Sequence, residues 1–437
     1  MGKTMYKGFD KDLKCRGYQY EEGKEYVHEG EVKACEGGFH ACENPFDVFD
    51  FYAPSGFHRF CEVEGSGEED KQGRKSSFEK IKIVAEIGLD GLIKAGVKFC
   101  LDRVKWTDES PATGYKSGAS VTGKCSGASV TGKCSGASAT GDYSGASAAG
   151  DYSGASVTGD YSCASATGNY SGASAAGDKS GASATGRCSG ASVTGDCSGA
   201  SVTGDKSGAS TTGNYSGASA AGGYSGASVT GKCSCASVTG GYSGASATGD
   251  CSCASAAGDK SGASATGDYS CASAAGGYSC ASAAGKCSGA SATGGYSCAS
   301  AAGKCSCASA AGYKSGASAA GDCSCASAAG DCSGALAAGD KSGASAAGRC
   351  SGALATGYKS GASAGKGSVA LSVGRDTIAK GSLGSWIVLT QCHKSEEDGQ
   401  DCIDLVKVAR VDGKRIKADT WYTLKEGKFV IADGDEY

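Results

Sequence analysis

Small apolar and small polar residues alternate in a nine-residue pattern from Ser117 to Lys359, where one unit recurs 27 times without a gap. The unit reads Ser-Gly-Ala-Ser-Ala-Thr-Gly-Asp-Tyr at residues 135–143. Its first six positions have the period of two that is typical of a β-strand, and Gly followed by Asp, Asn or Lys forms a turn. Because a unit this short leaves no room for a helix, the pattern predicts a β-solenoid in which each unit supplies one strand and one corner.

Two coil sizes fit this unit. Two units per coil give a flat roll, and three give a triangular prism. A triangular core needs bulky side chains, but the strand positions hold almost only Gly, Ala, Ser, Thr, Val and Cys. Because voids in a core are costly, we favour the flat roll. The triangular coil stays open, since ninth-position lysines such as Lys206, Lys260 and Lys314 recur at multiples of three units.

Alternation along each strand separates two sets of side chains. The odd set holds the first, third and fifth positions of the unit, and the even set holds the second, fourth and sixth. Degenerate units place large apolar residues on the even set: Val369, Leu371 and Val373 in one unit, and Leu336 and Leu354 in place of a serine. Cys at the second position also suits burial. We therefore expect the even set, including the sixth-position Thr, to face inward.

Large apolar residues are scarce between residues 117 and 366 and ordinary on either side. This shift predicts an α+β N-terminal domain at 1–109, the solenoid at 110–366 and a β-rich C-terminal domain at 367–437. A solenoid has open strand edges at both ends, and the two flanking domains are its natural caps. The predicted fold class is thus mainly β, a flat β-roll with a small α+β cap and a β-hairpin cap.

Local patterns predict the elements of both caps. In the N-terminal domain, strands are expected at 4–8, 25–35, 58–64 and 80–87. Asn44 and Pro45 suit the start of a helix that runs to about Tyr52, and a second helix is expected over 90–103. In the C-terminal domain, hairpin strands are expected at 386–390, 404–408, 421–424 and 429–431.

Charge and hydropathy narrow the partners. The formal net charge is −4 and no basic stripe is present, so the sequence gives no reason to expect nucleic acid. No stretch approaches the roughly 20 apolar residues of a membrane span, and Met1 is not followed by an apolar secretory segment. We therefore expect synthesis in the cytoplasm and no membrane partner.

Cysteine is abundant, with 26 residues in the chain, and 19 of these lie in the repeat. They occupy only its second and ninth positions, and both positions hold Cys at junctions such as Cys323-Ser324-Cys325. Disulfides seldom persist in a reducing compartment. Cys exchanges without order with Tyr and Lys at the ninth position, which a metal ligand would not tolerate. This distribution favours drift within a duplicated tract, because single-base codon changes interconvert Cys with Tyr and with Gly.

The N-terminal domain resembles an uncharacterised family found mainly in phage and prophage proteins. The similarity rests on residues 6–9 (Tyr-Lys-Gly-Phe), 15–20 (Cys-Arg-Gly-Tyr-Gln-Tyr) and 38–42 (Gly-Phe-His-Ala-Cys). It covers about the first hundred residues and implies a phage or prophage origin, with association with a virion as a further location, but no known activity.

The solenoid is similar to the left-handed β-roll of trimeric autotransporter adhesin heads. The matching residues are 367–371, Gly-Ser-Val-Ala-Leu. That family uses a unit of different length and a coiled-coil stalk, and this sequence has neither, so the resemblance does not extend to trimerisation.

His40 is the first candidate for chemistry. Gly-Phe-His followed by a helix and Tyr52 is similar to the His and Tyr of ADP-ribosyltransferase-like folds, and Glu62 or Glu64 would then supply the catalytic glutamate. This resemblance implies a host-modifying enzyme. We expect instead that His40 is a structural residue beside a strand turn and that the protein is not an enzyme.

A zinc site is the second candidate. Cys35, His40 and Cys42, with Cys15 and Cys61, are ligand types that suit zinc. The spacing lacks the Cys-x2-Cys pair that makes a zinc prediction strong, so we expect no metal and no cofactor.

The function we expect is that of a non-enzymatic structural or interaction protein. The solenoid would be a rigid scaffold whose faces or ends dock a protein partner or further copies of the chain. Ice or surface binding is the third hypothesis, and it is disfavoured because Ala replaces the sixth-position Thr in nearly half of the units.

Overall fold

The computed structural model describes residues 2–34, 36–54, 58–103, 105–233, 235–396 and 399–432, with the backbone alone for residues 103 and 105–112. The chain divides into two compact units, Met1–Cys253 and Ala254–Tyr437. The fold is mainly β, with a β-solenoid of about 15 turns between residues 118 and 389. This confirms the predicted fold class, although coils of the solenoid continue past residue 366.

The first unit begins with a five-stranded antiparallel sheet, whose strands lie in the order Glu25–Val27, Lys75–Glu86, Phe39–Cys42, Lys3–Phe9 and Arg59–Gln72. Its elements are β1 Lys3–Phe9, β2 Lys14–Cys15, β3 Tyr18–Gln19, β4 Glu25–Val27, β5 Phe39–Cys42, a 3-10 helix Pro45–Asp50, β6 Arg59–Gln72, β7 Lys75–Glu86, α1 Gly88–Arg103 and β8 Lys105–Thr113. The Asn44 side chain caps the 3-10 helix by accepting a hydrogen bond from the Phe46 N–H at 3.1 Å, as its sequence suggests. The sequence analysis did not predict β5, and the strand that it predicted at 25–35 is longer than β4.

Two parallel sheets form the solenoid. In the first unit, the first sheet contains Ser126–Thr131, Gly145–Ala149, Cys163–Thr167, Gly181–Thr185, Gly199–Thr203, Gly217–Ala221 and Cys235–Thr239. The second sheet contains Gly118–Thr122, Gly136–Thr140, Gly154–Thr158, Gly172–Ala176, Gly190–Thr194, Lys206–Thr212, Tyr224–Thr230 and Tyr242–Thr248.

The second unit repeats this arrangement. Its first sheet contains Cys253–Ala257, Cys271–Ala275, Gly289–Thr293, Cys307–Ala311, Cys325–Ala329, Gly343–Ala347, Gly361–Ala364 and Ile378–Gly381. Its second sheet contains Lys260–Thr266, Tyr278–Ala284, Tyr296–Ala302, Lys314–Ala320, Gly334–Ala338, Gly352–Thr356, Val369–Val373 and Trp386–Lys394. The antiparallel strands Asp401–Arg410, Tyr422–Lys425 and Lys428–Ile431 follow, close to where the hairpins were predicted.

The strand register shows that two nine-residue repeats make one coil of the solenoid. Ala137 pairs with Ala155, and Ala155 pairs with Ala173, so each strand lies against the strand two nine-residue repeats further along the chain. The flat roll is confirmed and the triangular alternative is wrong. Small side chains from the two sheets fill the thin space between them.

The prediction of the inward face is wrong, because the odd set is the buried one. Ser153, Ala155 and Val157 are 2, 3 and 2 % exposed, whereas even-set Leu336 is 40 % exposed. The first-position serine explains this choice. The Ser162 Oγ accepts a hydrogen bond from the Ser144 N–H at 2.9 Å and donates to the Gly141 carbonyl at 3.0 Å. An inward serine can therefore satisfy two backbone groups at a corner, as Ser162 does, which an apolar residue could not do.

Glycine at the seventh position shapes each corner. Gly177 has φ +138° and donates its N–H to the Thr194 carbonyl of the next coil at 2.9 Å. The eighth-position Asp adds a side-chain ladder: Asp160 Oδ1 accepts from the Asp178 N–H at 2.9 Å. These contacts explain why Gly followed by Asp or Asn recurs at the corners.

Among the residues described, no helix is both long and apolar enough to cross a membrane.

Candidate functional site

Helix α1 of the N-terminal domain packs on the outer face of the first sheet, over the four strands from Cys163–Thr167 to Gly217–Ala221. A Cβ added to Gly181 would lie 2.7 Å from the Phe46 ring, and one added to Gly199 would lie 2.7 Å from Ile93. Second-position glycine therefore lets the domain approach the sheet closely. Cys163, at the same repeat position, is fully buried by this contact.

A buried ion cluster holds the edge of this contact. The Lys179 Nζ lies 3.1 Å from Asp47 Oδ1 and 2.7 Å from Asp50 Oδ2, and the side chains of Lys179 and Asp47 are 8 and 9 % exposed. Arg74 adds a second cation at 2.8 Å from Asp50. Burial alone would lower the pKa of Lys179, but the two carboxylates raise it. A ninth-position Lys resembles any other in the repeat, so no sequence signal identified this cluster.

A partly open cavity of about 230 Å³ lies inside the N-terminal domain. Strands β1 and β5, the β2–β3 hairpin and the segment after the 3-10 helix surround it. Its lining combines cations, two thiols, phenols and an imidazole: Tyr6, Lys7, Gly8, Cys15, Arg16, His40, Ala41, Cys42, Val48, Phe51, Tyr52 and Lys75.

The β2–β3 hairpin presents Cys15 to this cavity. Its turn residues Arg16 and Gly17 have φ of +50° and +81°, the left-handed pair that a tight two-residue hairpin requires. The Tyr52 hydroxyl donates a hydrogen bond to the Cys15 Sγ at 2.9 Å. Gly8 makes room for this tyrosine, since a Cβ there would lie 2.4 Å from the Tyr52 ring.

Lys7 and His40 set the electrostatics of the cavity. Lys7 is 6 % exposed, and its Nζ donates to the His40 carbonyl oxygen at 2.7 Å. Burial lowers the pKa of Lys7, and the Cys15 sulfur beside it partly opposes this shift. Burial, followed by the charges of Lys7, Lys75 and Arg16, lowers the pKa of His40 to about 4. At neutral pH the imidazole is therefore neutral, and the lysines and arginine give the cavity its positive charge.

The structure brings only part of the predicted enzymatic set together. His40 and Tyr52 line the same cavity. Glu62 lies on β6, opposite Tyr6 in the strand register, and Glu64 lies opposite Thr4; neither belongs to the cavity lining. The hypothesis of an ADP-ribosyltransferase-like site stays a prediction.

The zinc candidates are likewise divided. Cys15, His40 and Cys42 line the cavity, Cys61 is buried in the neighbouring core, and Cys35 lies outside the described residues. Within the described part of the chain, no group of three or more His, Cys, Asp or Glu side chains is placed to hold a metal ion. Burial raises the pKa of Cys42 to about 12, so this thiol is protonated at neutral pH.

This cavity and its surrounding sheet fall within one recognised domain. Residues 3–95 match the model of DUF7666, a domain of unknown function, and we call this part of the chain the DUF7666 domain. The DUF7666 domain contains every residue of the cavity lining and the first half of α1. No curated protein and no solved structure matches the chain. The resemblances to phage proteins and to adhesin heads stay predictions.

The solenoid adds two outward surfaces, both on the second sheet. In the second unit, Leu336, Leu354, Leu371 and Val388 follow one another in register, and Val408 pairs with the last of them. We call these five residues the apolar ladder. In the first unit, Thr194, Thr212, Thr230 and Thr248 form an in-register row, which we call the threonine row. Sixth-position Thr therefore faces outward, contrary to the prediction.

Repeat cysteines also face outward, at the second and ninth positions. Cys307, Cys323 and Cys325 are exposed, whereas Cys163 is buried beneath α1. The burial that we predicted for second-position cysteines is thus wrong except beneath the DUF7666 domain. Tyr at the ninth position stacks on its copy in the next coil, as Tyr278 and Tyr296 do at a centroid distance of 4.9 Å.

Proposed function

We propose that the protein is a non-enzymatic structural protein whose solenoid is a scaffold that associates with a second copy of the chain. The apolar ladder carries this proposal. Leu336 and Val408 are 40 and 57 % exposed, and Val369 and Trp386 beside them are 42 and 45 % exposed. Large contiguous apolar patches on the surface of soluble proteins mark interaction sites, whereas single scattered apolar residues do not.

The shape of this surface favours a second copy over an irregular partner. The apolar ladder lies on the second sheet, where Gly, Ala and Thr are the other residues of the strands that carry Leu336 and Leu354. Two such faces can pack sheet on sheet, at the spacing of about 10 Å that is usual for face-to-face sheets. A two-fold pairing would bury the same residues on both copies, which is how symmetric dimers form.

A charge within the apolar ladder tests this association. Leu354→Lys is expected to shift the protein from dimer to monomer in sedimentation velocity, because the new ammonium would be desolvated in the interface. The matched control is Ser345→Lys, an exposed fourth-position residue on the first sheet of the same unit. A wild-type protein that is monomeric at all concentrations would contradict the proposal. A dimer that Leu354→Lys leaves intact would place the interface elsewhere.

Origin and location form the finer part of the proposal. The resemblance of residues 6–9, 15–20 and 38–42 to phage and prophage proteins supports a phage origin. We propose that the chain is made in the host cytoplasm and takes part in a virion-associated assembly. Fractionation of virions from a lysogen that carries the gene would test this, since a protein absent from purified particles would contradict it.

Ice or surface binding is a second candidate, and the threonine row favours it. The four threonines are exposed, and Ser192, Ser210, Ser228 and Ser246 run parallel to them in the same strands. A flat, regular array of hydroxyl groups is the chemistry such a surface needs. The expected result is thermal hysteresis that Thr212→Leu with Thr230→Leu abolishes and that Thr239→Leu, on the first sheet, leaves unchanged. Absence of hysteresis in the wild-type protein would dispose of this candidate.

A further inference from the structure

The cavity of the DUF7666 domain has a charge pattern that the scaffold role does not use. Lys7, Arg16 and Lys75 all line it, and among the described residues no carboxylate lies within ion-pair distance of any of them. Asp47 and Asp50, whose charges act on Cys42, are paired with Lys179 and Arg74.

Of the three cations, Lys7 gives the strongest indication of an anion site. It is nearly fully buried, and its neutral partners are the His40 carbonyl oxygen, the Cys15 sulfur and the Phe9 ring at 5.5 Å. Burying an ammonium without a counter-charge is costly, and an anion in the cavity would offset that cost. A cavity that is lined by cations and open to solvent supplies the room for such an anion.

We propose that this cavity binds a small oxyanion, a carboxylate or a phosphate group, beside Cys15, and that Cys15 is the thiol through which anionic electrophiles react with the protein. Ammonium and guanidinium groups are the usual partners of both oxyanions. The Tyr52 hydroxyl and the Lys7 ammonium both lie beside the Cys15 sulfur, so an anion held by Lys7 would be next to this thiol.

The remaining thiols provide internal controls for this proposal. Cys42, Cys61 and Cys163 are buried. Cys305 is exposed on the solenoid, at the ninth position of its unit. A charge-selective reaction at Cys15 can therefore be compared with Cys305 in the same sample.

The test uses iodoacetate and its neutral analogue iodoacetamide on the reduced full-length chain, with the rate at each cysteine measured by peptide mass spectrometry. In either reaction, the thiol proton is lost to solvent, the sulfur forms a bond to carbon, and the carbon–iodine bond breaks to release iodide. We expect the iodoacetate-to-iodoacetamide rate ratio to be at least about 10-fold higher at Cys15 than at Cys305, because a cationic cleft concentrates anions.

Variants and competitors identify the cause of this ratio. Arg16→Gln, at an exposed turn that tolerates the change, and Lys7→Met are each expected to lower the ratio at Cys15 several-fold, whereas Lys33→Gln outside the cavity is expected to leave it unchanged. Inorganic phosphate or acetate is expected to slow carboxymethylation of Cys15 with a saturable dependence at constant ionic strength. Comparison of the two competitors shows which oxyanion the site prefers.

Three results would overturn the proposal. One is an equal rate ratio at Cys15 and Cys305, and another is a Cys15 that neither reagent modifies in the folded protein. The third is inhibition by phosphate that sodium chloride of equal ionic strength reproduces, since this would indicate general screening with no bound anion. Circular dichroism of Arg16→Gln separates a lost site from a lost fold.

Discussion

Gly177→Ala is expected to lower the free energy of unfolding of the first unit by about 3 kcal/mol, through a strained backbone and an overpacked corner together. At Gly177, φ is +138°, a conformation that residues with a Cβ rarely adopt. The added Cβ would lie 2.3 Å from the Gly159 carbonyl oxygen and 2.5 Å from the carbonyl carbon. Because these are backbone atoms of the preceding coil, they cannot move aside without breaking the corner.

Gly172→Ala is the matched control for this substitution. Gly172 is at the second position of the same unit and faces outward, and the nearest atom to its added Cβ is the Gly190 carbonyl oxygen at 3.8 Å. We expect this variant to change the free energy of unfolding by less than about 0.5 kcal/mol.

Urea unfolding followed by circular dichroism measures both variants, and hydrogen exchange locates the damage. In Gly177→Ala, the amides of Gly159 and Gly177 should exchange faster, since both donate across the corner to the next coil. Equal stability of the two variants would contradict the role we assign to the corner glycine.

The corner is also the feature that sequence reasoning predicts best. A φ near +140°, as at Gly177, is available at low cost only to glycine, so a glycine at every ninth residue marks a corner directly. The size of the coil was predictable from the absence of bulky strand residues. Both inferences depend on local sterics, which the residue types fix without knowledge of the tertiary contacts.

The inward face was not predictable by the same means. Leu336 and Leu354 suggested that the even set is buried, because large apolar residues usually are. The structure instead places them in the outward-facing apolar ladder, where Leu336 is exposed and Leu354 half-buried, and fills the interior with Ser, Ala and Val. Hydrogen bonds from the first-position serine to the neighbouring coil decide the orientation, and such bonds are visible only once the register is known.

The candidate site could be predicted from the sequence only in part. Sequence reasoning singled out His40, Cys15 and Tyr52, and all three line one cavity. It did not identify Lys7 as part of that site, because a Lys within an alternating strand is normally on its solvent face. Burial of Lys7 follows from the packing of β5 and the β2–β3 hairpin over β1, which one sequence does not specify.

Lys179→Met is expected to weaken the attachment of the DUF7666 domain to the first sheet by about 3 kcal/mol. Removing one partner of a buried ion pair leaves the remaining charge unpaired, which typically costs about 3–5 kcal/mol, and Arg74 offsets part of this by retaining its contact with Asp50. Asp47 would be left buried, with Arg74 Nε at 3.9 Å as its remaining cation. The methionine fills a volume similar to that of the lysine stem, so the loss reports mainly on the charge.

Cys163 gives a direct readout of this attachment. It is fully buried beneath α1, so an alkylating reagent reaches it only when the domain lifts from the sheet. A loss of about 3 kcal/mol corresponds to an increase of roughly 100-fold in the alkylation rate of Cys163 when opening limits the reaction. Lys206→Met is the control, because Lys206 is an exposed ninth-position lysine that lies 6.0 Å from the Tyr224 ring and contacts no carboxylate in any described ion pair.

The pH dependence of Cys163 alkylation separates the charge of Lys179 from its bulk. The pKa of Lys179 is raised in the folded protein. The stability that its charge contributes is therefore complete below the unfolded pKa of about 10.4 and is lost as pH rises through the folded pKa. Burial alone would raise the pKa of Asp50, but the ion pairs with Lys179 and Arg74 outweigh burial, so the pKa is lowered. The stability that the Asp50 carboxylate contributes is therefore present above about pH 3.9 and is lost as pH falls through the folded pKa. Protonation of Asp47, whose pKa burial raises, partly offsets the acid loss. The wild-type protein should therefore protect Cys163 across the neutral range and lose protection in acid. If Lys179→Met protected Cys163 as well as wild type at pH 7, the ion cluster would not hold the domain in place.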